Sequence, residues 1–227
     1  MTKMKTTGIC SYCKKEVKKN ARSIVSHLSD CEISKKSNKE KVSEYLIILI
    51  EGKYAPEYWL VIKAKADITM KKIDKFIRDI WVECCGHLSS FSDGYSKISM
   101  NWEISQIFEK GHKIDYEYDF GTPTEISLSL IQEIEDTDDK EIQMLFRNKE
   151  IDFTCDECGE KAVIICPICL YENRGTLCES CAEKHSCVIK SGEEILSPIV
   201  NSPRVGECGY TGYEDRYVEK YFPNGII

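Results

Sequence analysis

The sequence predicts an α+β fold, with one main helix packed on a mostly antiparallel sheet and a cysteine-rich segment on each side of this domain. Residues 45–66 contain two apolar runs of strand length, and residues 69–84 change to helical periodicity. Residues 113–134 then show the alternation that is typical of half-buried strands. Eleven of the thirteen cysteines lie outside this central region, which indicates a separate role for the flanking segments.

The composition favours a cytoplasmic protein with no membrane contact. Of the 227 residues, 42% are hydrophobic, which is enough for a real core. The longest apolar run, YLIILI, is far shorter than the ~20 residues that cross a bilayer, and the N-terminus lacks the apolar stretch of a signal peptide. In the reducing cytosol, thirteen cysteines favour metal binding over disulfides.

The central domain is predicted to span residues 45–150. YLIILI and YWLVIKAKA are predicted to be buried strands, and HLSSF and YSKISMNWEI look like shorter strand pieces. The helix at 69–84 has an apolar stripe that continues to Cys84, and Gly86 stops it. KIDYEYDF and EISLSLIQEI alternate as two further strands.

The strand KIDYEYDF is predicted to have one buried and one wet face. Its core-facing residues are predicted to be Ile114, Tyr116, Tyr118 and Phe120. Its solvent-facing residues are predicted to be Asp115, Glu117 and Asp119. These three carboxylates could alternatively hold a divalent ion, although a solvated face is the preferred interpretation.

The N-terminal segment, residues 1–34, has the spacing of a Cys3His zinc finger. A C-x2-C pair is followed by thirteen residues and by H-x3-C, and NARSIVSHLSDC is predicted to be a helix. A helix places residues four positions apart on one face, where both side chains reach one ion. Because structural zinc takes four nitrogen or sulfur ligands, the predicted ligands are Cys10, Cys13, His27 and Cys31. Residues 35–44 are predicted to be a linker.

Residues 151–190 are predicted to form a binuclear zinc module. Three C-x2-C pairs and one H-x-C pair follow one another with short spacers, which favours a cross-brace in which alternate pairs share an ion. The first ion is predicted to bind Cys155, Cys158, Cys178 and Cys181. The second is predicted to bind Cys166, Cys169, His185 and Cys187.

Two alternatives remain open for this module. A single residue separates His185 from Cys187, so Cys208 could replace Cys187 as the last ligand. The pairs could also serve one zinc ion and a redox function, because isolated C-x-x-C motifs occur in thioredoxin-like proteins. The preferred prediction is about three zinc ions per chain, including the finger.

Outside the metal motifs, no catalytic residue is predicted. ECCGH could supply a nucleophilic pair from Cys84 and His87. A core position for Cys84 and a helix stop at Gly86 are preferred. The tail, residues 191–227, is predicted to pack on the body of the protein.

Several motifs are similar to a known family. The stretches FIRDIWVECCGHLSSF, YEYDFG and NSPRVGECGYTG resemble the plasmid pRiA4b ORF-3-like proteins, also called insertion-element passenger proteins, in a subgroup with zinc modules on both sides. APEYWL and TPTEI depart from the pattern of many members. The resemblance implies an α+β fold and an association with mobile elements, and it implies no reaction.

Charge and motifs together favour a non-enzymatic zinc-binding adaptor with a protein partner. Residues 1–41 carry eleven Lys and Arg against four Asp and Glu, a balance of +7. Because the whole chain balances at -7, the rest carries -14. The alternative is therefore a nucleic-acid-binding accessory protein of a mobile genetic element, which would use the basic N-terminal finger.

Overall fold

The computed structural model describes residues 6–31, 42–170, 172, 174–191, 195–214 and 216–222. They form two compact units. The first unit takes in the described residues of Met1–Ile80, Leu88–Lys149 and Glu214–Ile227. The second takes in those of Trp81–His87 and Glu150–Tyr213. Residues 35–41 of the predicted linker lie outside the described residues.

The elements are numbered in chain order. The strands are β1 (Thr7–Cys10), β2 (Glu16–Lys18), β3 (Ser43–Gly52), β4 (Trp59–Lys65), β5 (Ser89–Ser92), β6 (Lys97–Ile98), β7 (Lys113–Tyr118), β8 (Thr124–Asp136), β9 (Ile142–Asn148), β10 (Ile164–Ile165), β11 (Thr176–Leu177) and β12 (Ser197–Pro198). The helices are α1 (Ala21–Asp30), α2 (Met70–Ile77), α3 (Pro167–Leu170), α4 (Glu179–Ala182), α5 (Ser186–Ser191) and α6 (Arg216–Tyr221). A π-helical turn covers Arg78–Val82, and a 3-10 turn covers Ile104–Gln106.

The first unit is built on a nine-stranded sheet with the order β2-β1-β9-β4-β3-β8-β7-β5-β6. All its neighbouring strands are antiparallel. The centre is apolar, and every residue of β9 and all but the last of β4 are buried. The prediction of a mixed α+β fold with a large antiparallel sheet is therefore confirmed. No helix in the described part of the chain is both long and apolar enough to span a membrane.

Helix α2 packs on the sheet through the stripe that periodicity predicts. Met70, Ile73 and Phe76 are all buried. On the polar side of the contact, the Tyr116 hydroxyl of β7 donates to Asp74 Oδ1 at 2.9 Å. The α-helix ends earlier than predicted, because the backbone changes to a π-helical turn at Arg78.

The predicted alternation along KIDYEYDF stops two residues early. Strand β7 ends at Tyr118, and Asp119 adopts a left-handed conformation with φ 66°. The Asp119 carboxylate accepts hydrogen bonds from the backbone N–H groups of Gly121 and Thr122. This turn rotates the next side chain outward, so Phe120 is 47% exposed and its predicted core position is wrong.

The N-terminal residues extend the sheet. Strand β1 pairs with β9, and Gly8 lies opposite Asn148. The buried face of α1, Ile24 and Leu28, joins an apolar cluster that includes Trp59. The described residues of the predicted finger therefore belong to the same compact unit as the sheet.

The chain beyond residue 190 is divided between the two units. Residues 195–213 belong to the second unit, where β12 pairs with β10 in a three-stranded antiparallel sheet of order β11-β10-β12. Helix α6 belongs to the first unit. There the Tyr221 hydroxyl donates to Asp79 Oδ2 at 2.7 Å, and the Tyr221 ring meets Phe76 edge to face at 4.9 Å.

Candidate metal centres

The first cluster consists of Cys10, Cys13, His27 and Cys31, which the spacing of the N-terminal segment predicts as ligands. Cys10 ends β1, Cys13 lies in the turn before β2, and α1 supplies His27 and the capping residue Cys31. The cluster is half-enclosed, since Cys10 and Cys31 are buried. The His27 ring also contacts Phe146 of β9 edge to face at 5.4 Å.

The separations between the ligand atoms fit a tetrahedral ion. A zinc ion bound to thiolates at about 2.3 Å gives a sulfur-to-sulfur edge of about 3.8 Å and a sulfur-to-nitrogen edge of about 3.5 Å. The Sγ atoms of Cys10 and Cys31 are 3.8 Å apart, and Cys13 Sγ lies 3.3 Å from His27 Nε2. A disulfide would need about 2.05 Å. The donor set therefore fits a structural zinc ion better than a disulfide.

The second cluster, Cys155, Cys158, Cys178 and Cys181, lies in the second unit. The first two residues flank the turn before β10, where Gly159 N donates to Cys155 O at 2.9 Å. The other two belong to the start of α4, because Cys178 is its N-cap. The Sγ atoms of Cys158 and Cys178 are 3.6 Å apart, which again matches a zinc–thiolate edge.

Asp156 joins the two halves of the second cluster. Its Oδ2 accepts hydrogen bonds from the backbone N–H groups of Gly175 and Thr176 at 2.7 and 2.8 Å. Burial raises the pKa of this carboxyl, but the hydrogen bonds from Thr176 and Gly175 outweigh it, so the pKa lies below its usual range. An ionised Asp156 therefore holds the Cys155 turn against β11.

The third cluster is Cys166, Cys169, His185 and Cys187, of which the first three are buried. Cys169 Sγ lies 3.3 Å from His185 Nε2 and 3.6 Å from Cys187 Sγ. Helix α5 begins between His185 and Cys187, and this helical start brings both side chains to one centre. Cys187, and not Cys208, therefore completes this group. The ligands of the second and third clusters interleave along the chain, as the predicted cross-brace requires.

Electrostatics prevent the thiols of a cluster from all ionising without a cation. In the second cluster, the Ser180 hydroxyl lowers the pKa of Cys178 to about 6, while the neighbouring thiols raise that of Cys181 to about 12. Burial raises the pKa of Cys10 and of Cys169 to about 12. Thiolates at these separations repel one another, which disfavours ionisation of all of them. A divalent ion would offset this repulsion, and the thiols would release their protons when it binds.

Histidine in the first cluster is suited to bind a metal. Burial, and then the positive charge of Lys15, lower the pKa of His27. A lowered pKa keeps the imidazole neutral near pH 7, and the neutral ring is the form that binds metal ions.

A fourth cluster, Cys84, Cys85, His87 and Cys208, is the group that sequence reasoning missed. All four residues lie in the second unit. Cys85 Sγ lies 3.7 Å from Cys84 Sγ and 3.6 Å from Cys208 Sγ, and His87 Nε2 lies 3.4 Å from Cys208 Sγ. The core position predicted for Cys84 is wrong, because the side chain is only partly buried and its thiol joins this group. ECCGH and GECGY carry all four ligands, but no local spacing in the sequence relates these two segments.

The four clusters together use every cysteine of the chain. None of the thirteen cysteines, all of which the structure describes, forms a disulfide. Three of the four histidines take part, and within each cluster the ligand atoms lie within 4.8 Å of one another. The four Cys/His clusters are compatible with zinc, and one more cluster is present than the three predicted ions require.

The predicted acidic alternative is not supported by the contacts of the carboxylates. Asp115 Oδ2 accepts from Lys53 Nζ at 3.0 Å, and Asp115 Oδ1 accepts from the Ser127 hydroxyl. Asp119 is used in the turn after β7. Among the described residues, the groups that could hold a metal do not include these carboxylates.

Comparisons with known proteins place the chain in no family. No protein-family model matches it, and no curated protein is significantly similar to it. Among solved structures, a protein of unknown function from Methanosarcina mazei Go1 aligns with 54% of this chain and 78% of its own chain, at 16% identity and a TM-score of 0.42. The resemblance to the pRiA4b ORF-3-like proteins therefore stays a prediction.

Proposed function

We propose that the protein is a non-enzymatic zinc protein whose metal ions hold a surface that a protein partner recognises. The observation that carries this proposal is the grouping of ten cysteines and two histidines into the first three four-ligand clusters. A catalytic zinc ion keeps an open position for water or substrate, whereas four protein ligands close the coordination sphere. The ions therefore contribute folding free energy, on the order of 10 kcal/mol for a zinc-finger site.

Exposed apolar side chains beside the third cluster support a partner-binding role. Ile168 lies between Cys166 and Cys169 and is 53% exposed. Ile189 lies two residues after Cys187 and is 76% exposed. Large apolar side chains in solvent are candidates for contacts with another protein, and the backbone that presents both of them belongs to one metal centre.

The partner-binding proposal is tested by affinity capture with the full chain. The double variant Ile168→Asp/Ile189→Asp is expected to lose a partner that the wild type retains. Tyr95→Asp is the matched control, because Tyr95 is 97% exposed but lies in the first unit. Equal capture by all three proteins would contradict the proposal, and zinc content measured on each sample checks that the substitutions leave the metal centres intact.

The second candidate, a nucleic-acid-binding accessory of a mobile element, is favoured by exposed cations around the first cluster. Lys14, Lys15, Lys18 and Arg22 are all exposed. Phosphate contacts from such side chains dominate nucleic-acid affinity. Lys19, by contrast, forms an ion pair with Glu51 and donates to Pro56 O, so it serves the fold.

A salt series distinguishes the two candidates. Fluorescence anisotropy with a short DNA duplex and with single-stranded RNA would show salt-dependent binding under the second candidate. Lys14→Glu/Lys15→Glu would weaken this binding, while Lys72→Glu, a charge change elsewhere on the first unit, would not. The absence of binding at low salt contradicts the second candidate.

A further inference from the structure

The fourth cluster is formed by two segments that are distant in sequence. Residues 81–87 and the loop at 201–210 meet within the second unit, where the Ser202 hydroxyl donates to Trp81 O at 2.5 Å. The same hydroxyl accepts from Arg204 N at 3.0 Å. These contacts hold the loop beside the ECCGH turn independently of the thiols.

The backbone on both sides directs the ligands to one point. Gly86 has φ 82°, and its N–H donates to Glu83 Oε1 at 2.6 Å, which forms a turn between Cys85 and His87. Cys208 has φ 48°, a left-handed conformation that is unfavourable for a residue with a Cβ atom. Such conformations persist where the surroundings require them, often at functional sites. Here it turns the Cys208 thiol toward Cys85.

A buried cation complements the charge of a filled site. Arg204 is completely buried, and its Nη2 donates to Cys84 Sγ at 3.5 Å. Three thiolates and one histidine around a divalent ion have a net charge of about minus one. The guanidinium of Arg204 would therefore balance this charge and orient the Cys84 sulfur, as residues behind metal ligands commonly do.

The fourth cluster differs from the others in exposure. None of its four ligands is buried, and Cys85 and Cys208 are exposed. Three ligands of the third cluster, two of the first and one of the second are buried. Solvent and chelators therefore reach an ion in the fourth cluster most easily.

We propose that Cys84, Cys85, His87 and Cys208 bind a fourth zinc ion, and that this ion exchanges with solution faster than the ions of the other three clusters. The exchange proposal rests on the proposed zinc occupancy of those clusters. The fourth site itself rests on its own geometry. The sequence-based interpretation of ECCGH as core, or as a Cys84–His87 nucleophile, is replaced by a ligand role.

Native mass spectrometry of the intact chain tests the stoichiometry. The wild type is expected to carry four zinc ions and Cys208→Ser three. Since no cysteine lies outside the clusters, the matched control is His112→Ala, an exposed histidine outside the clusters, which should keep four. If the wild type carries three zinc ions and Cys208→Ser retains all three, the fourth site is contradicted but the proposed function is not. A wild type without zinc would overturn the proposed function as well.

A second measurement needs no variant and tests exchange. Zinc transfer to a colorimetric chelator is expected to show one ion of four leaving at least about tenfold faster than the rest, because the exposed ligands are accessible. Alkylation with iodoacetamide after this first phase, followed by peptide mapping, should label Cys84, Cys85 and Cys208 first. Labelling that begins in any other cluster would show that the fourth site is not the exchangeable one.

Discussion

Cys85 Sγ lies 3.6 Å from Cys208 Sγ although the two residues are 123 positions apart in the sequence. In the first cluster, the Sγ atoms of Cys10 and Cys31 are 3.8 Å apart at a separation of 21 positions. The two pairs have similar sulfur-to-sulfur distances, but different kinds of structure bring their residues together. The first cluster is formed by one hairpin and one helix, whereas the fourth brings together two segments that are distant in the sequence.

Replacing Cys31 with Ser is expected to remove one zinc ion and to destabilise the first unit. Cys10 and Cys31 belong to the apolar cluster around Trp59 and Phe146, so loss of the ion also loosens the packing of β1 and α1 on the sheet. The free energy of unfolding should fall by several kcal/mol. Hydrogen exchange of β1 and β9, measured together with zinc content, checks this result.

The control for this prediction is Cys158→Ser. Cys158 is an exposed member of the second cluster and lies in the other unit. This variant should also lose zinc but should leave exchange in β1 and β9 unchanged. Equal protection of β1 in the wild type and in Cys31→Ser would contradict a structural role for the first ion.

Replacing Lys63 with Met is expected to destabilise the sheet. Lys63 is 2% exposed, and its Nζ donates to Asp136 and Asp138 at 2.7 and 2.9 Å. Its removal leaves two partly buried carboxylates without this cation, which should lower the free energy of unfolding by about 2–4 kcal/mol. The cost stays below that of a fully buried pair because both carboxylates keep some contact with solvent. Urea unfolding at pH 7 measures the difference. Lys72→Met, at an exposed pair with Glu141, should cost at most about 0.5 kcal/mol.

This ion pair also predicts a pH dependence. Burial raises the pKa of Asp138, but the hydrogen bonds from Lys63 and from the Lys140 N–H outweigh it, so the folded-state pKa lies below the usual value. A lowered pKa contributes stability above the unfolded pKa of about 3.9, and this contribution is lost as the pH falls through the folded value. The difference in unfolding free energy between wild type and Lys63→Met should therefore narrow below about pH 4. A constant difference down to pH 3 would contradict this assignment.

Tyr116→Phe is expected to destabilise the contact between α2 and the sheet. The Tyr116 hydroxyl donates to Asp74 Oδ1, which also accepts from the Ser89 hydroxyl at 2.6 Å and from Arg78 Nε at 3.1 Å. Loss of one of these three donors to a charged acceptor should cost about 1–2 kcal/mol. Thermal unfolding checks the change, and Tyr95→Phe, at a fully exposed ring, should have no measurable effect. Equal melting temperatures of Tyr116→Phe and wild type would contradict a stabilising role.

Gly8→Ala is expected to disturb the pairing of β1 with β9. A Cβ atom at this position would lie 2.7 Å from the Arg147 carbonyl oxygen and 2.7 Å from Trp59 Cζ2, closer than real contacts allow. The strand would have to shift, at a cost of about 1–3 kcal/mol. Gly121→Ala is the control, because its nearest neighbour would be the Asp119 carboxylate at 3.4 Å. Hydrogen exchange of β1 would show the shift, and unchanged protection in Gly8→Ala would contradict it.

Local patterns predicted much of the fold. The apolar runs of the strands and the apolar stripe of α2 could be predicted because buried side chains repeat with the period of each element. The pattern misled at Phe120 and Cys84, where a left-handed residue and a change to a π-helical turn interrupt the period. Local patterns predict no strand at Ile142–Asn148, and the place of β9 between β1 and β4 depends on pairing with both strands.

By itself, the sequence determined the α+β class, the members of the first two candidate metal clusters and three members of the third, because C-x2-C turns and residues close together on a helix approach one another through local geometry. Only the tertiary structure decided that β1 joins the sheet through β9, that Cys187 completes the third cluster, and that Cys208 meets Cys84, Cys85 and His87. The physical reason is separation along the chain. A contact across more than a hundred residues depends on tertiary contacts such as the hydrogen bond from Ser202 to Trp81, and no periodicity in the sequence encodes it.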